Sequence, residues 1–136
     1  MRISREALEA MRKKYDAEVR SGRTATNQNG NVIDQTKWIF FDRTTIEKLL
    51  EKSDPTTGGI KFYFGEYTTE LAKEYFPDNP EAYDGLITLV MSAANLEGDQ
   101  VEDLDFMERS GDPGAGDFEN HGKQCPPTCD PDPTVN

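Results

Sequence analysis

The sequence predicts an α+β fold: a single small domain in which two main helices pack on a short, mainly antiparallel sheet. Three observations support this prediction. Apolar residues recur at helical spacing in two segments, three aromatic or apolar runs have the length of strands, and turn-forming residues separate these segments. The length of 136 residues is that of one domain. A long acidic C-terminal tail, rich in proline and glycine, is expected to follow the sheet.

The first helix is predicted to begin after Ser4, because a serine hydroxyl can bind the free backbone amides of a helix N-terminus. Leu8, Met11, Tyr15 and Val19 then recur at helical spacing and form one apolar stripe. A serine–glycine pair follows this stripe and marks the end of the helix.

The second helix is predicted to begin at Thr44. Thr44 and Glu47 have the spacing of a capping box, in which each side chain binds the backbone amide of the other residue. The helix is expected to carry Ile46, Leu49 and Leu50 towards the core. An Asp-Pro pair follows and ends it.

Three segments have the pattern of strands: 37–41, 60–67 and 86–93. Apolar and polar side chains alternate in 60–67, whereas 86–93 is almost entirely apolar, as expected for a central strand. The connection 68–85 is too long for a simple hairpin loop, which has ~2–5 residues. It is expected to hold one helical turn at 71–75 and to be a candidate binding feature.

Charge is distributed unevenly in this chain, whose net charge is −11. Residues 1–68 carry 12 basic and 10 acidic side chains, whereas residues 69–136 carry 3 basic and 16 acidic ones. An acidic chain repels phosphate groups, so we expect neither nucleic acid nor an anionic membrane as a partner.

The distribution of apolar residues along the sequence predicts the cellular compartment of the protein. No stretch approaches the ~20 apolar residues of a membrane span. The N-terminal segment also lacks the continuous apolar region of a secretory signal peptide. We therefore expect a cytoplasmic protein with no membrane span.

The character of the chain changes after Asn95, where apolar residues become sparse and acidic residues, glycine and proline become frequent. We therefore predict a globular α+β domain at 1–95 and an acidic extended tail at 96–136. The tail carries the motif 125-CPPTC-129.

Four motifs in order, 38-WIFFDRTTIEKLLEK-52, 59-GIKFYFGEY-67, 86-LITLVMSAAN-95 and 125-CPPTC-129, carry a resemblance. Together they resemble a family of small uncharacterised bacterial proteins that has a GIxxYFGxY-type strand and a C-terminal CPPxC tail. The resemblance covers about residues 38–129. It implies no activity, but it does imply that the tail cysteines recur for a reason.

The stretch 120-NHGKQCPPTC-129 concentrates the residues that could carry chemistry. His121, Cys125 and Cys129 could supply three of the four ligands of a structural zinc site. An aspartate of the tail or a partner chain would have to supply the fourth. Strong zinc signatures pair two CxxC-like units, whereas this chain has one CxxxC spacing.

Three further interpretations of Cys125 and Cys129 stay open from the sequence. A disulfide requires a turn, which Pro127-Thr128 could form, because an extended segment would hold the two Cα atoms about 12 Å apart. A redox dithiol is less favoured, because the prolines prevent a normal helix from starting at Cys125 and lowering the thiol pKa. Free structural thiols that pack the tail onto the domain are the third interpretation.

Two further groups are candidates for binding. Tyr63, Tyr67, Tyr75 and Tyr83 are a candidate interaction surface, with half-buried core tyrosines as the alternative. An irregular calcium site among Glu102, Asp103 and Asp105 is the alternative to a solvated acidic loop.

Catalytic motifs are missing from the sequence, which has no P-loop and no GxGxxG, GxSxG or HExxH pattern. We therefore assign no catalytic residues and no cofactor, and favour a protein that is not an enzyme. The predicted function is a non-enzymatic protein–protein interaction or assembly module that binds a protein partner or forms a homo-oligomer. The alternative is a zinc-binding or thiol-redox protein that uses His121, Cys125 and Cys129.

Overall fold

The structure, a computed structural model, describes residues 1–21, 25–26, 32–104 and 122–129. Within these residues, three α-helices occur together with antiparallel strand pairs, which confirms the α+β class. The helices are α1 (Arg5–Tyr15), α2 (Arg43–Lys52) and α3 (Thr69–Tyr75), with a π-helical stretch at Asp16–Arg20 and a 3-10 turn at Pro80–Ala82. The strands are β1 (Ala25–Thr26), β2 (Val32–Ile33), β3 (Trp38–Phe40), β4 (Gly58–Glu66), β5 (Ile87–Glu97), β6 (Gln100–Asp103) and β7 (Lys123–Cys125). None of these helices has both the length and the apolar character that a membrane crossing requires.

The largest sheet has three strands in the order β4-β5-β6. β5 and β6 are antiparallel, with Ala94 opposite Asp103 and Glu97 opposite Gln100. Gly98 lies in the two-residue turn between them and has a φ of +64°, a conformation that glycine adopts without steric cost. β1 pairs with β2 and β3 pairs with β7 in two smaller sheets.

The helix N-termini are capped by side chains. Ser4 accepts a hydrogen bond from the Ala7 amide, as predicted. The predicted capping residue of α2 was wrong: Asp42 caps this helix, and its carboxylate accepts a hydrogen bond from the Thr45 amide at 2.8 Å. Thr44 lies inside the helix. An aspartate in extended backbone before the first turn is both a cap and an anion at the positive end of the helix dipole.

The contacts divide the chain into two compact units. The first unit is formed by Met1–Trp38, Glu66–Ile87 and Gln124–Asn136, as far as these residues are described. Its apolar core is built on Tyr67 and Leu86, against which Phe76 and Tyr83 pack. The rings of Phe76 and Tyr83 are stacked with centroids 3.5 Å apart, and both meet the Tyr67 ring edge-on.

A buried polar network joins the three segments of the first unit. The side chain of Gln35 accepts hydrogen bonds from the Thr36 and Ile87 amides and donates one to the Gly85 carbonyl. The side-chain amide of Gln124 donates to the Thr36 hydroxyl at 2.6 Å and to the Ile87 carbonyl at 2.8 Å. Gln35 and Gln124 are almost fully buried, so these bonds are shielded from water.

Helix α1 is attached to this network by its C-terminal end. The Tyr15 hydroxyl donates to the Thr36 carbonyl, and the Arg20 guanidinium donates to the Gln35 carbonyl. Burial raises the pKa of Tyr15. α1 itself contains no buried residue, and Leu8 and Met11 of its apolar stripe are exposed.

The second unit is formed by Ile39–Gly65 and by the described residues of Thr88–Lys123. Its apolar core contains Leu49 of α2 and Met91 and Ala93 of β5, with Ile60 of β4 packed against them. Leu50 is 44% exposed, contrary to the prediction that it points inward. Neighbouring helical residues are about 100° apart, so Leu49 and Leu50 cannot both face the sheet.

The described part of the predicted tail is structured. Residues 100–103 and 123–125 form β6 and β7, and Gln124 and Cys125 are buried. Whether residues 1–95 fold on their own is a separate question, so the boundary at residue 95 stays a prediction.

Candidate functional site

The CPPTC segment forms a closed ring. Cys125 and Cys129 are joined by a disulfide with their Cα atoms 4.7 Å apart, and the Thr128 amide donates to the Gln124 carbonyl inside the ring. Cys125 is fully buried. The tail is held at this point by the Gln124 side chain and by a hydrogen bond from the Lys37 amide to the Cys125 carbonyl.

The disulfide bears on the zinc interpretation. A bridged sulfur is not a thiolate, so Cys125 and Cys129 could bind zinc only in the reduced protein. His121 lies outside the described residues. Within those residues, no group of three or more histidine, cysteine or acidic side chains is placed to hold a metal ion. The zinc and thiol-redox functions therefore stay predictions.

The four candidate tyrosines do not form one exposed surface, which corrects the sequence-based grouping. Tyr67 is only 5% exposed and belongs to the aromatic core, and Tyr83 is half-buried against Phe76. Burial raises the pKa of Tyr83. Tyr75 is 40% exposed, and Tyr63 is half-buried in the second unit. A tyrosine ring contributes much apolar area, which is why two of the four pack into the core.

Asp103 is the centre of a small polar cluster in the second unit. Its carboxylate accepts hydrogen bonds from the Tyr63 hydroxyl at 2.6 Å and from the Ser92 hydroxyl at 2.8 Å. Lys61 lies with its ammonium 4.7 Å from the centre of the Tyr63 ring, and interaction with Tyr63 raises the pKa of Lys61. Ser92 is fully buried and its hydroxyl is used as a donor, so the cluster has the character of a structural network rather than of a catalytic one.

The predicted calcium site shares Asp103 with this cluster. Asp103 is buried and already accepts two hydrogen bonds, whereas Glu102 is exposed on β6. Asp105 lies outside the described residues. A calcium site that uses all three side chains stays a prediction.

Strand β4 exposes two large aromatic side chains. Phe62 is 49% exposed and Phe64 is 84% exposed, whereas Lys61 and Tyr63, which alternate with them, are half-buried. This alternation is that of a strand whose two faces have different neighbours. Ile60, on the same face as the two phenylalanines, packs against the core. The core therefore covers Ile60 at the start of this face, whereas Phe62 is about half exposed and Phe64 is mostly exposed.

β4 is also an edge strand. Among the strands that the structure describes, β5 is its only neighbour. The Leu96 amide donates to the Thr57 carbonyl, and a Cβ placed at Gly65 would lie 4.0 Å from the Thr88 side chain. Both observations fit one antiparallel register, in which the odd-numbered residues of β4 hydrogen-bond to β5. The backbone groups of the even-numbered residues, Phe62 and Phe64 among them, point to the other edge.

A groove of about 350 Å³ lies beside the first half of β4. Among the described residues that line the groove, Lys61 is the charged one, and Leu96 and Val101 are exposed. A Cβ at Gly59 would meet no atom within 4 Å, so the groove is open at this glycine. The lining residues are Thr57, Gly58, Gly59, Ile60, Lys61, Ala94, Asn95, Leu96 and Val101.

The aromatic-rich strand 60–67 is the feature of the sequence that favours an interaction function, but its pattern does not single out Phe62 and Phe64 as surface residues. Their alternation with Lys61 and Tyr63 predicts a strand with an apolar face, and an apolar face normally turns inward. The extent to which α2 covers that face is not encoded in the strand itself. The one local signal was the density of aromatic residues in a segment without proline.

Comparison with protein-family models, curated proteins and solved structures finds no match to this chain. The resemblance to the family with a CPPxC tail therefore stays a prediction, as do the cytoplasmic location and the exclusion of nucleic acid.

Proposed function

We propose that this protein is a non-enzymatic protein–protein interaction module that binds a partner by adding a strand to the free edge of β4, the edge that no strand within the described residues covers. The observation that carries the proposal is the exposure of Phe62 and Phe64 on an edge strand of nine residues. Such an edge presents aligned amides and carbonyls to a partner strand, and the neighbouring side chains add specificity.

The composition of β4 supports this use. Proteins usually protect edge strands with prolines, charges, bulges or short length. β4 contains no proline, and Lys61 and Glu66 are its only charged residues. An exposed aromatic patch on such an edge costs solubility unless a partner covers it. Burying one phenylalanine side chain contributes about 1.5–3 kcal/mol, so Phe62 and Phe64 could supply a large part of a binding energy.

The thiol-redox function is the second candidate, because Cys125 and Cys129 are bridged. A thiol–disulfide exchange reaction requires access of a thiolate to one of the sulfurs. Cys125 is fully buried and Cys129 is half-buried, so neither residue of the bridge is fully exposed to an attacking thiolate. This geometry favours a structural role for the bridge, and we rank the interaction function first.

Site-specific photocrosslinking tests the proposed function. A benzophenone amino acid replaces Phe64, and the matched control carries it at Leu50, an exposed apolar residue of α2. Irradiation in extract of the native cell should give a discrete protein adduct from position 64 that position 50 does not give. The proposal fails if neither position crosslinks or if both give the same adducts.

A further inference from the structure

We propose that the occupant of the β4 edge is a second copy of this chain, paired antiparallel through β4 about a two-fold axis at Tyr63. This inference rests on the proposed function, since it requires that β4 accepts a strand. It adds the identity of the partner and the register of the pairing.

The register follows from the direction of the backbone groups. The even-numbered residues of β4 point their amides and carbonyls to the free edge, as the bonding of Thr57 to Leu96 shows. In a two-fold pair centred on Tyr63, Phe62 of one copy lies opposite Phe64 of the other, and this happens twice. Each of these is a position at which two residues exchange both backbone hydrogen bonds. In this register the backbone amides and carbonyls of Phe62 and Phe64 that point to the free edge all form hydrogen bonds with the other copy.

The side chains are self-complementary in the same register. All four exposed phenylalanine rings of the two copies meet on one face, where cross-strand aromatic pairs are favourable. Moving the axis to Phe62 or to Phe64 would pair that residue with itself and leave the other without an aromatic partner. The two charges of β4 do not conflict, because Lys61 would lie opposite Gly65 and Glu66 opposite Ile60.

A copy of β4 is also a well-prepared ligand. It is already extended and fixed by its ladder to β5, so pairing orders little additional backbone. A free peptide would have to be ordered on binding. Opposing this, each chain carries a net charge of −11, so the two copies repel each other at long range.

The small size of the interface and the net charge of the two copies define the strength and the salt dependence of the dimer. One strand per copy makes an interface smaller than the ~1,600 Å² that is typical of stable complexes, so the dimer is expected to be weak and dependent on concentration. Added salt screens the repulsion between the two acidic chains and should strengthen the dimer. A partner held by attraction to Lys61 would show the opposite trend.

Sedimentation equilibrium of the full, disulfide-bonded chain tests the inference. We expect a monomer–dimer equilibrium whose association constant rises several-fold between ~20 mM and ~300 mM NaCl. Phe64→Glu should weaken association at least 10-fold, because it places a carboxylate opposite Phe62 of the other copy. Phe40→Glu is the matched control, since Phe40 is 56% exposed on β3 and should leave association unchanged. Thermal melts should show that both variants remain folded.

Single cysteines read the register directly. In the proposed pair, Tyr63 faces itself across the axis at a position where Cα atoms are about 4.5 Å apart, within reach of a disulfide. Under mild oxidation Tyr63→Cys should give a crosslinked dimer, whereas Phe62→Cys and Phe64→Cys should not. Mass spectrometry identifies the bridge and separates it from exchange with Cys125 or Cys129.

The outcomes separate the two proposals. A strict monomer at every salt concentration overturns the second copy, and so does a dimer that Phe64→Glu leaves intact. If position 64 nevertheless photocrosslinks to a different protein, the interaction function stands and only the identity of the partner is wrong. Crosslinking through position 62 or 64, but not 63, overturns the axis at Tyr63.

Discussion

Gln124→Ala is expected to destabilise the folded chain, although Gln124 lies in a segment that composition marks as a tail. The substitution removes two buried hydrogen bonds, one to the Thr36 hydroxyl and one to the Ile87 carbonyl. Each contributes about 1 kcal/mol net. The lost Cγ methylene group adds about 0.8 kcal/mol when it is fully buried. We therefore expect the free energy of unfolding to fall by about 3 kcal/mol.

Urea unfolding followed by the fluorescence of Trp38, the one tryptophan of the chain, measures this change. Gln100→Ala is the control, because Gln100 is the same residue type in an exposed position on β6. It should change the free energy of unfolding by less than about 0.5 kcal/mol. If Gln124→Ala behaves like Gln100→Ala, the buried network does not hold the tail and the reasoning is refuted.

Three other predictions concern the core, the disulfide and a helix cap. Leu49→Ala should lower the free energy of unfolding by about 2–5 kcal/mol, because Leu49 is 1% exposed. Leu50→Ala should lower it by less than about 1 kcal/mol, because Leu50 is 44% exposed. Equal effects of the two substitutions in urea unfolding would contradict the assignment of Leu49 to the buried face of the helix. Cys129→Ser should lower the free energy of unfolding by about 2 kcal/mol, which is the chain-entropy value for a disulfide ring of five residues. Reductant should lower the stability of the parent protein to that of the variant and should not affect the variant. The hydrogen bond from the Thr45 amide lowers the pKa of Asp42, so the charged cap contributes fully above the ordinary aspartate pKa and is lost as pH falls through the lower folded value. The difference in melting temperature between the parent and Asp42→Asn should therefore shrink in acid, and a difference independent of pH would show that the charge is irrelevant to the cap.

The sequence by itself determined the features that depend on near neighbours. Ser4 lies three residues before the amide that it caps, and the aromatic alternation around Phe62 reports a strand without reference to any other segment. The α+β class follows from such local patterns. The cap of α2 has the same local spacing, because Asp42 lies three residues before the Thr45 amide that it binds. The prediction chose Thr44 instead of Asp42 as the capping residue.

The tertiary structure alone decided which side chains are buried and which edge of β4 is left uncovered by the described strands. Gln124 bonds to Thr36, a partner 88 residues away, and no local pattern distinguishes such a glutamine from an exposed one. Phe62 and Phe64 have the pattern of core residues, yet they are 49% and 84% exposed, whereas Ile60 on the same strand face packs against the core. Burial is a property of what another segment covers, so the candidate site on β4 becomes visible only when the helix and the sheet are packed together.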